Sequence, residues 1–261
     1  MLWRKSWWET RWGILTILGG MLLFAAFHRP WKQADLAQWI SSLQERAPGW
    51  SENSRRLIPL LSGYYGYVWS HWFKSFLLCV WPFVGAMMAP ATLFAVSCPW
   101  MGGAPGAAGH FTFSLPVSRR RVLLSHAALV AIEMALIALA PSLMFTLTSR
   151  LTGGWFPFGS AVVYALLLSL GGMVFLAFSF LLAVVFDHPW KGMFIGSAVV
   201  FALLLPIRTF EEYPWWNVYH VMSGETYFRY GRIPWLGLLV SLAVSALMMF
   251  AAVSIYERRD F

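Results

Sequence analysis

Glu133 lies in the run ALVAIEMALIALA, where every neighbour is apolar. A carboxylate in such a run is costly inside a bilayer and needs a reason. It can contact a substrate, an ion or a proton, or it can fix helix packing through a hydrogen bond or an ion pair. No other apolar run carries a central Asp, Glu, Lys or Arg, and packing is the favoured reading. His126 lies two helical turns earlier on the same broad face and reads as polar packing nearer the headgroups. The other histidines (His28, His71, His110, His188 and His220) form no paired ligand motif. HExxH, CxxC and GxSxG are absent, and the glycine-rich stretch 102–106 lacks the Lys-Ser/Thr that grips a nucleotide. Glu211 and Glu212 are adjacent, so their side chains diverge on any regular element. The sequence thus assigns no catalytic, metal or cofactor-binding residue, and any ATP chemistry must come from a partner.

A second candidate is GHFTFSLPVSRRRVLLSHAAL. Phe111, Phe113 and Leu115 share one face if this segment is extended, and Pro116 interrupts the pattern. Ser118, after Val117, is placed to cap the next helix. Arg119, Arg120 and Arg121 then fill its first turn, where the helix dipole does not favour cations. Their placement points to lipid phosphate or an acidic partner. A plain positive-inside anchor explains them equally well.

The elements that position these residues follow from composition. Of 261 residues, 59% are apolar and only 11% are charged. Soluble domains carry about 25% charged residues. Mean hydropathy is +0.63, and there are 16 Trp, 9 Tyr and 21 Phe. A water-soluble globule of this size cannot hide that much apolar surface, so the composition argues for a multi-span membrane protein. It argues against disorder, a disulfide scaffold and an ordinary cytosolic enzyme. The net charge of +8 is assigned to orientation and anionic headgroups rather than to nucleic acid. Cys79 and Cys98, if on one helix, lie roughly 28 Å apart and cannot bridge.

Apolar runs predict an all-α polytopic protein with six transmembrane helices at about residues 12–27, 74–97, 122–147, 158–186, 192–207 and 233–256. Residues 1–11 form a basic, Trp-rich interface segment. Segments 28–73 and 208–232 lie on the outer side, and 98–121 connects spans two and three inside. Within the first outer segment, ADLAQWISSLQERA reads as a short amphipathic helix. Pro82, Pro90 and Pro141 predict bends. Six spans place both termini on one side. Basic residues concentrated at short span ends, among them Arg4, Lys5, Arg119–Arg121, Arg258 and Arg259, favour the cytoplasm for that side. No internal repeat of the kind found in many secondary transporters is evident.

Residues 111–129, FTFSLPVSRRRVLLSHAAL, resemble the Leu-Pro-Val-Ser-Arg element of ABC-2-type transporter permeases, here Leu115, Pro116, Val117, Ser118 and Arg119. The six-span layout and the basic N-terminal segment are also similar to that family. The sequence departs from it before Phe111. MGGAPGAAGHFTF stands where the family often has an acidic residue and a Gly-Thr-Leu run. The resemblance implies a permease subunit without an ATPase of its own, paired with a second permease, as homodimer or heterodimer, and with two copies of a cytoplasmic ATP-binding cassette subunit. It implies that Phe111–Arg121 form or adjoin the coupling element, that the chain resides in a bacterial inner (plasma) membrane among its lipids, and that transport is export. Two other readings stand beside it. One is a membrane anchor or scaffold that moves no substrate, and the other is an ion-coupled carrier using Glu133.

Overall fold

Leu, Ala and Met dominate the long apolar runs, and they are strong helix formers. In lipid, moreover, a backbone must satisfy its own hydrogen bonds. The computed structural model describes residues 2–27, 33–46, 48, 55, 58–94, 118–151, 156–186, 189–204 and 213–258, and every regular element among them is helical. In chain order these are α1 (Leu2–Phe27), α2 (Gln33–Arg46), the short α3 (Ile58–Leu61) and α4 (Tyr64–Val68), and a π-wound segment (Trp69–Leu77). They continue with α5 (Leu78–Phe94), α6 (Arg119–Leu151), α7 (Phe158–Val185), α8 (Pro189–Leu204), α9 (Val218–Met222), α10 (Glu225–Tyr230) and α11 (Trp235–Arg258).

Among the described residues, three helices are long and apolar enough to cross a membrane: Arg119–Leu147, Phe158–Val185 and Trp235–Arg258. The sequence predicted six. The other three are shorter or interrupted. In α1, Arg11–Leu23 is the apolar stretch among the residues with described side chains. The 16 described residues of α8 reach about 24 Å. The 17 residues of α5 follow a π-wound turn that carries Lys74. Residues 1–11, read as a separate interface segment, run into the first apolar stretch as one helix from Leu2.

Large apolar side chains cover the outside of the bundle. On α11, Leu236, Leu239, Leu247 and Phe250 are all exposed. A continuous apolar face of this kind belongs in lipid rather than in water. The protein is an all-α, membrane-embedded chain.

The bundle is organised around α7, which packs against α5, α6, α8, α9 and α11. The apolar window of α7 is 72% buried, against 28% for α11, so one helix is central and the other peripheral. Small residues explain the centrality: Ser160, Ala161, Ser169, Gly171, Gly172 and Ser179 are buried along α7 and let neighbours approach closely. The Trp81 ring of α5 lies directly over Gly172. Its indole N–H donates to the Met134 carbonyl of α6 at 2.9 Å.

The segment before α5, the helix that holds Pro82 and Pro90, departs from α-winding. Residues Trp69–Leu77 wind as a π-helix, closed by the Leu78 N–H donating to the Phe73 carbonyl. The same carbonyl accepts the Tyr164 hydroxyl at 2.6 Å. π turns are rare and concentrate at functional sites. Pro141, by contrast, is accommodated inside α6.

Candidate functional site

Hydrogen bonds and ring contacts gather α4, the π-wound segment, the end of α6, the start of α7, α9 and α10 at one end of the bundle. Tyr65 donates to Ser160 at 3.1 Å, and Trp72 packs on Phe145 with ring centroids 4.5 Å apart. Phe73 stacks on Tyr164 at 4.3 Å. Trp69 stacks on Phe228 at 5.4 Å and donates its indole N–H to the Ser223 carbonyl at 3.0 Å. The bundle's other end is where α6 begins, at Arg119.

Three charged side chains are buried in this aromatic surround. Lys74 comes from the π-wound segment, and Glu225 and Arg229 come from α10, one turn apart. Their side chains are 7%, 1% and 3% exposed. Lys74 Nζ lies 3.6 Å from Glu225 Oε1, and the Arg229 guanidinium pairs with the same oxygen. Glu225 Oε2 has no hydrogen-bond partner among the described residues. The Lys74 ammonium also sits over two rings, 5.6 Å from the Trp69 centroid and 5.2 Å from that of Tyr213. Both distances fall within the range of cation–π attraction. Burial pushes the Tyr213 phenol well above its usual range, with Cys79 and Glu225 nearby adding to the effect. Tyr213 therefore stays a neutral ring donor of π density beside the cation.

Local sequence explains how α10 delivers its charges. Gly224 and Gly231 bound it, both in the left-handed region at φ +65° and +67°. Glycine adopts that conformation at no steric cost. The helix between them is six residues long, too short to be stable alone. It is held by Phe228 in the aromatic cluster and by the ion contacts. The neighbouring α9 is fixed more firmly. Asn217 caps it, accepting the Tyr219 N–H at 3.0 Å while donating to the Leu203 carbonyl of α8 at 3.1 Å. The Lys74–Glu225 pair joins α10 to the π-wound segment, while Glu225–Arg229 lies within α10.

The residues expected from sequence fall elsewhere. Phe111, Phe113, Leu115, Pro116 and Val117 lie outside the described residues, as does Cys98. Ser118 precedes α6, and its carbonyl accepts the N–H groups of Arg121 and Val122 at 2.9 and 3.2 Å. Arg119 is half-buried, and Arg120 and Arg121 are exposed. His126 and Glu133 are both buried on α6. Seven residues separate them, about 10 Å along the helix axis. Glu133 adjoins Met134, whose carbonyl receives the Trp81 indole.

The predicted layout puts Lys74 at the start of the second span and Glu225 and Arg229 in the outer segment 208–232. Two signals pointed inward. Glu225 and Arg229 have the i, i+4 spacing of a helical ion pair, and Lys74 is embedded in WFKSFLL. No protein-family profile, curated protein sequence or solved structure matches this chain.

Proposed function

We propose that the chain is the membrane subunit of an ATP-driven transporter of the ABC-2 type, working as an exporter. In this reading α1, α5 and α8 complete a six-span unit with cytoplasmic termini in a bacterial inner membrane. A second permease and a cytoplasmic ATP-binding subunit complete the assembly. The observation that carries the reading is the placement of the arginines. Arg120 and Arg121 are exposed in the first turn of a 33-residue helix, directly after Leu115–Ser118. Cations at a helix N-terminus work against its dipole, which calls for an external anion or acidic surface. From there α6 runs the length of the bundle to Phe145, beside Trp72 and Phe73. A push on the arginine end is thereby transmitted to the aromatic end by a single rigid element.

Purification of the full chain in mild detergent is the test. A co-purifying ATP-binding subunit, with hydrolysis that depends on this chain, is the expected result. Alanine at Arg119, Arg120 and Arg121 together should leave expression intact and uncouple hydrolysis from transport. Coupling that survives the triple change removes the role assigned to these residues. A preparation without such a partner in several detergents favours the anchor or scaffold instead.

The buried Glu133 favours one second reading, an ion-coupled carrier. The two separate on Glu133→Gln. A carrier loses transport, whereas the ATP-driven subunit retains most of it, as measured by substrate flux into or out of reconstituted vesicles.

A further inference from the structure

We infer that α10 is a flap, latched onto the bundle by the Lys74–Glu225–Arg229 cluster and released when the π-wound segment rewinds. Three observations carry this. The first is the pair of glycines: left-handed Gly224 and Gly231 enclose a single six-residue helix, so both of its ends lie at backbone positions that glycine can change at little steric cost. A Cβ at Gly224 would meet the Phe228 and Tyr164 rings at 3.2–3.3 Å, so the hinge is also closely packed when the flap is down.

The second is the way the charges meet. Both cations meet Glu225 as ion pairs at Oε1, and neither carboxylate oxygen accepts a hydrogen bond among the described residues. A bidentate Arg–carboxylate pair would satisfy both oxygens and fix the geometry more firmly. The single-oxygen arrangement is easier to break than a fork-on-fork pair. Nothing in it commits the carboxylate permanently to either cation.

The third is the winding of the partner element. Lys74 stands five residues after Trp69 and lies over its ring. In an α-helix, residues five apart point about 140° apart, so this stacking depends on the i→i+5 winding. Rewinding Trp69–Leu77 as α-helix carries the ammonium away from Trp69 and from Glu225 together. The Phe73 carbonyl, which accepts both the Leu78 N–H and the Tyr164 hydroxyl, ties this rewinding to α7. Motion of the central helix is thereby linked to the flap. That the flap gates a transport path rests on the reading above; that it is latched does not.

Amide hydrogen exchange on the full chain in lipid nanodiscs tests the latch without requiring transport. Lys74→Met should speed exchange across residues 225–230 by about tenfold or more, with α7 and α11 unchanged. Lys74→Arg should stay within about twofold of the wild type, because it keeps a cation at the same place. Glu225→Gln should reproduce the Lys74→Met pattern and decides the matter if Lys74→Met is not recovered folded. Unchanged exchange over 225–230 in both neutral variants overturns the latch. So does equal acceleration across α7, which would mean the cluster merely supports the whole bundle. A missing ATP-binding partner would defeat the transport reading and leave these outcomes as they are.

Discussion

Glu225→Ala is expected to weaken the seating of α10 on the bundle by about 3–5 kcal/mol, the usual cost of removing one member of a buried ion cluster. The residue is 1% exposed, and its Oε1 faces two cations. Deleting the carboxylate leaves Lys74 and Arg229 in an aromatic surround without that counter-charge. The measurement is amide exchange over residues 225–230, read beside an SDS titration of the detergent-solubilised chain followed by circular dichroism, in which the transition of the bundle itself should move much less. A control separates charge from shape. Replacing Lys74, Glu225 and Arg229 together with methionine should recover most of the loss, since swapping a whole buried cluster for apolar residues is often neutral or better. If the triple variant is as weak as Glu225→Ala, the cluster matters for packing rather than for charge balance.

Gly172→Ala is expected to have a comparable effect, about 3 kcal/mol or more, at the upper end of overpacking. A Cβ at this position falls within the Trp81 ring. Trp81 is fully buried and is held by its hydrogen bond to Met134, so it cannot swing into open space. The added methyl must therefore part α5 from α7 or break the indole hydrogen bond. Gly159→Ala is the matched control. Nothing lies within 4 Å of its added carbon, and alanine favours helix, so that change should be neutral or slightly stabilising in the same SDS titration. Trp81→Phe should relieve Gly172→Ala partly, and the double-mutant cycle gives the coupling. Equal melting of Gly172→Ala and wild type would mean that the α5–α7 contact is looser than the structure shows.

The all-α class was legible because long runs of Leu, Ala and Met leave little else for a backbone in lipid to do. The segment ADLAQWISSLQERA, read as a short amphipathic helix, forms α2. Glu133 was legible for the same reason: one carboxylate in an apolar run is conspicuous, and it is buried. The ion cluster was not. Its members are 151 residues apart in sequence, from Lys74 to Glu225, and each flanks an apolar run where charges ordinarily serve as interfacial anchors. The π winding was hidden too. Hydrophobic patterns are compared with a period of 3.6, and a local change to i→i+5 bonding leaves no composition signal. What brings Lys74 inward is the register of one turn and the carbonyl of Phe73, both set by contacts with Tyr164 rather than by neighbours in sequence.

The central place of α7 has a consequence for how the chain is made. Its most extensive neighbour is α11, which begins 50 residues after α7 ends and faces inward through Leu238, Ser241, Ser245 and Ala252. At roughly 5–20 residues per second, completing α11 takes on the order of 4–15 s after Val185 has been added. Throughout that interval the stripe of α7 that α11 will cover faces lipid or the insertion machinery. Biogenesis therefore has a defined vulnerable window, and any factor that assists this chain into the bilayer has its work to do between the emergence of α7 and that of α11.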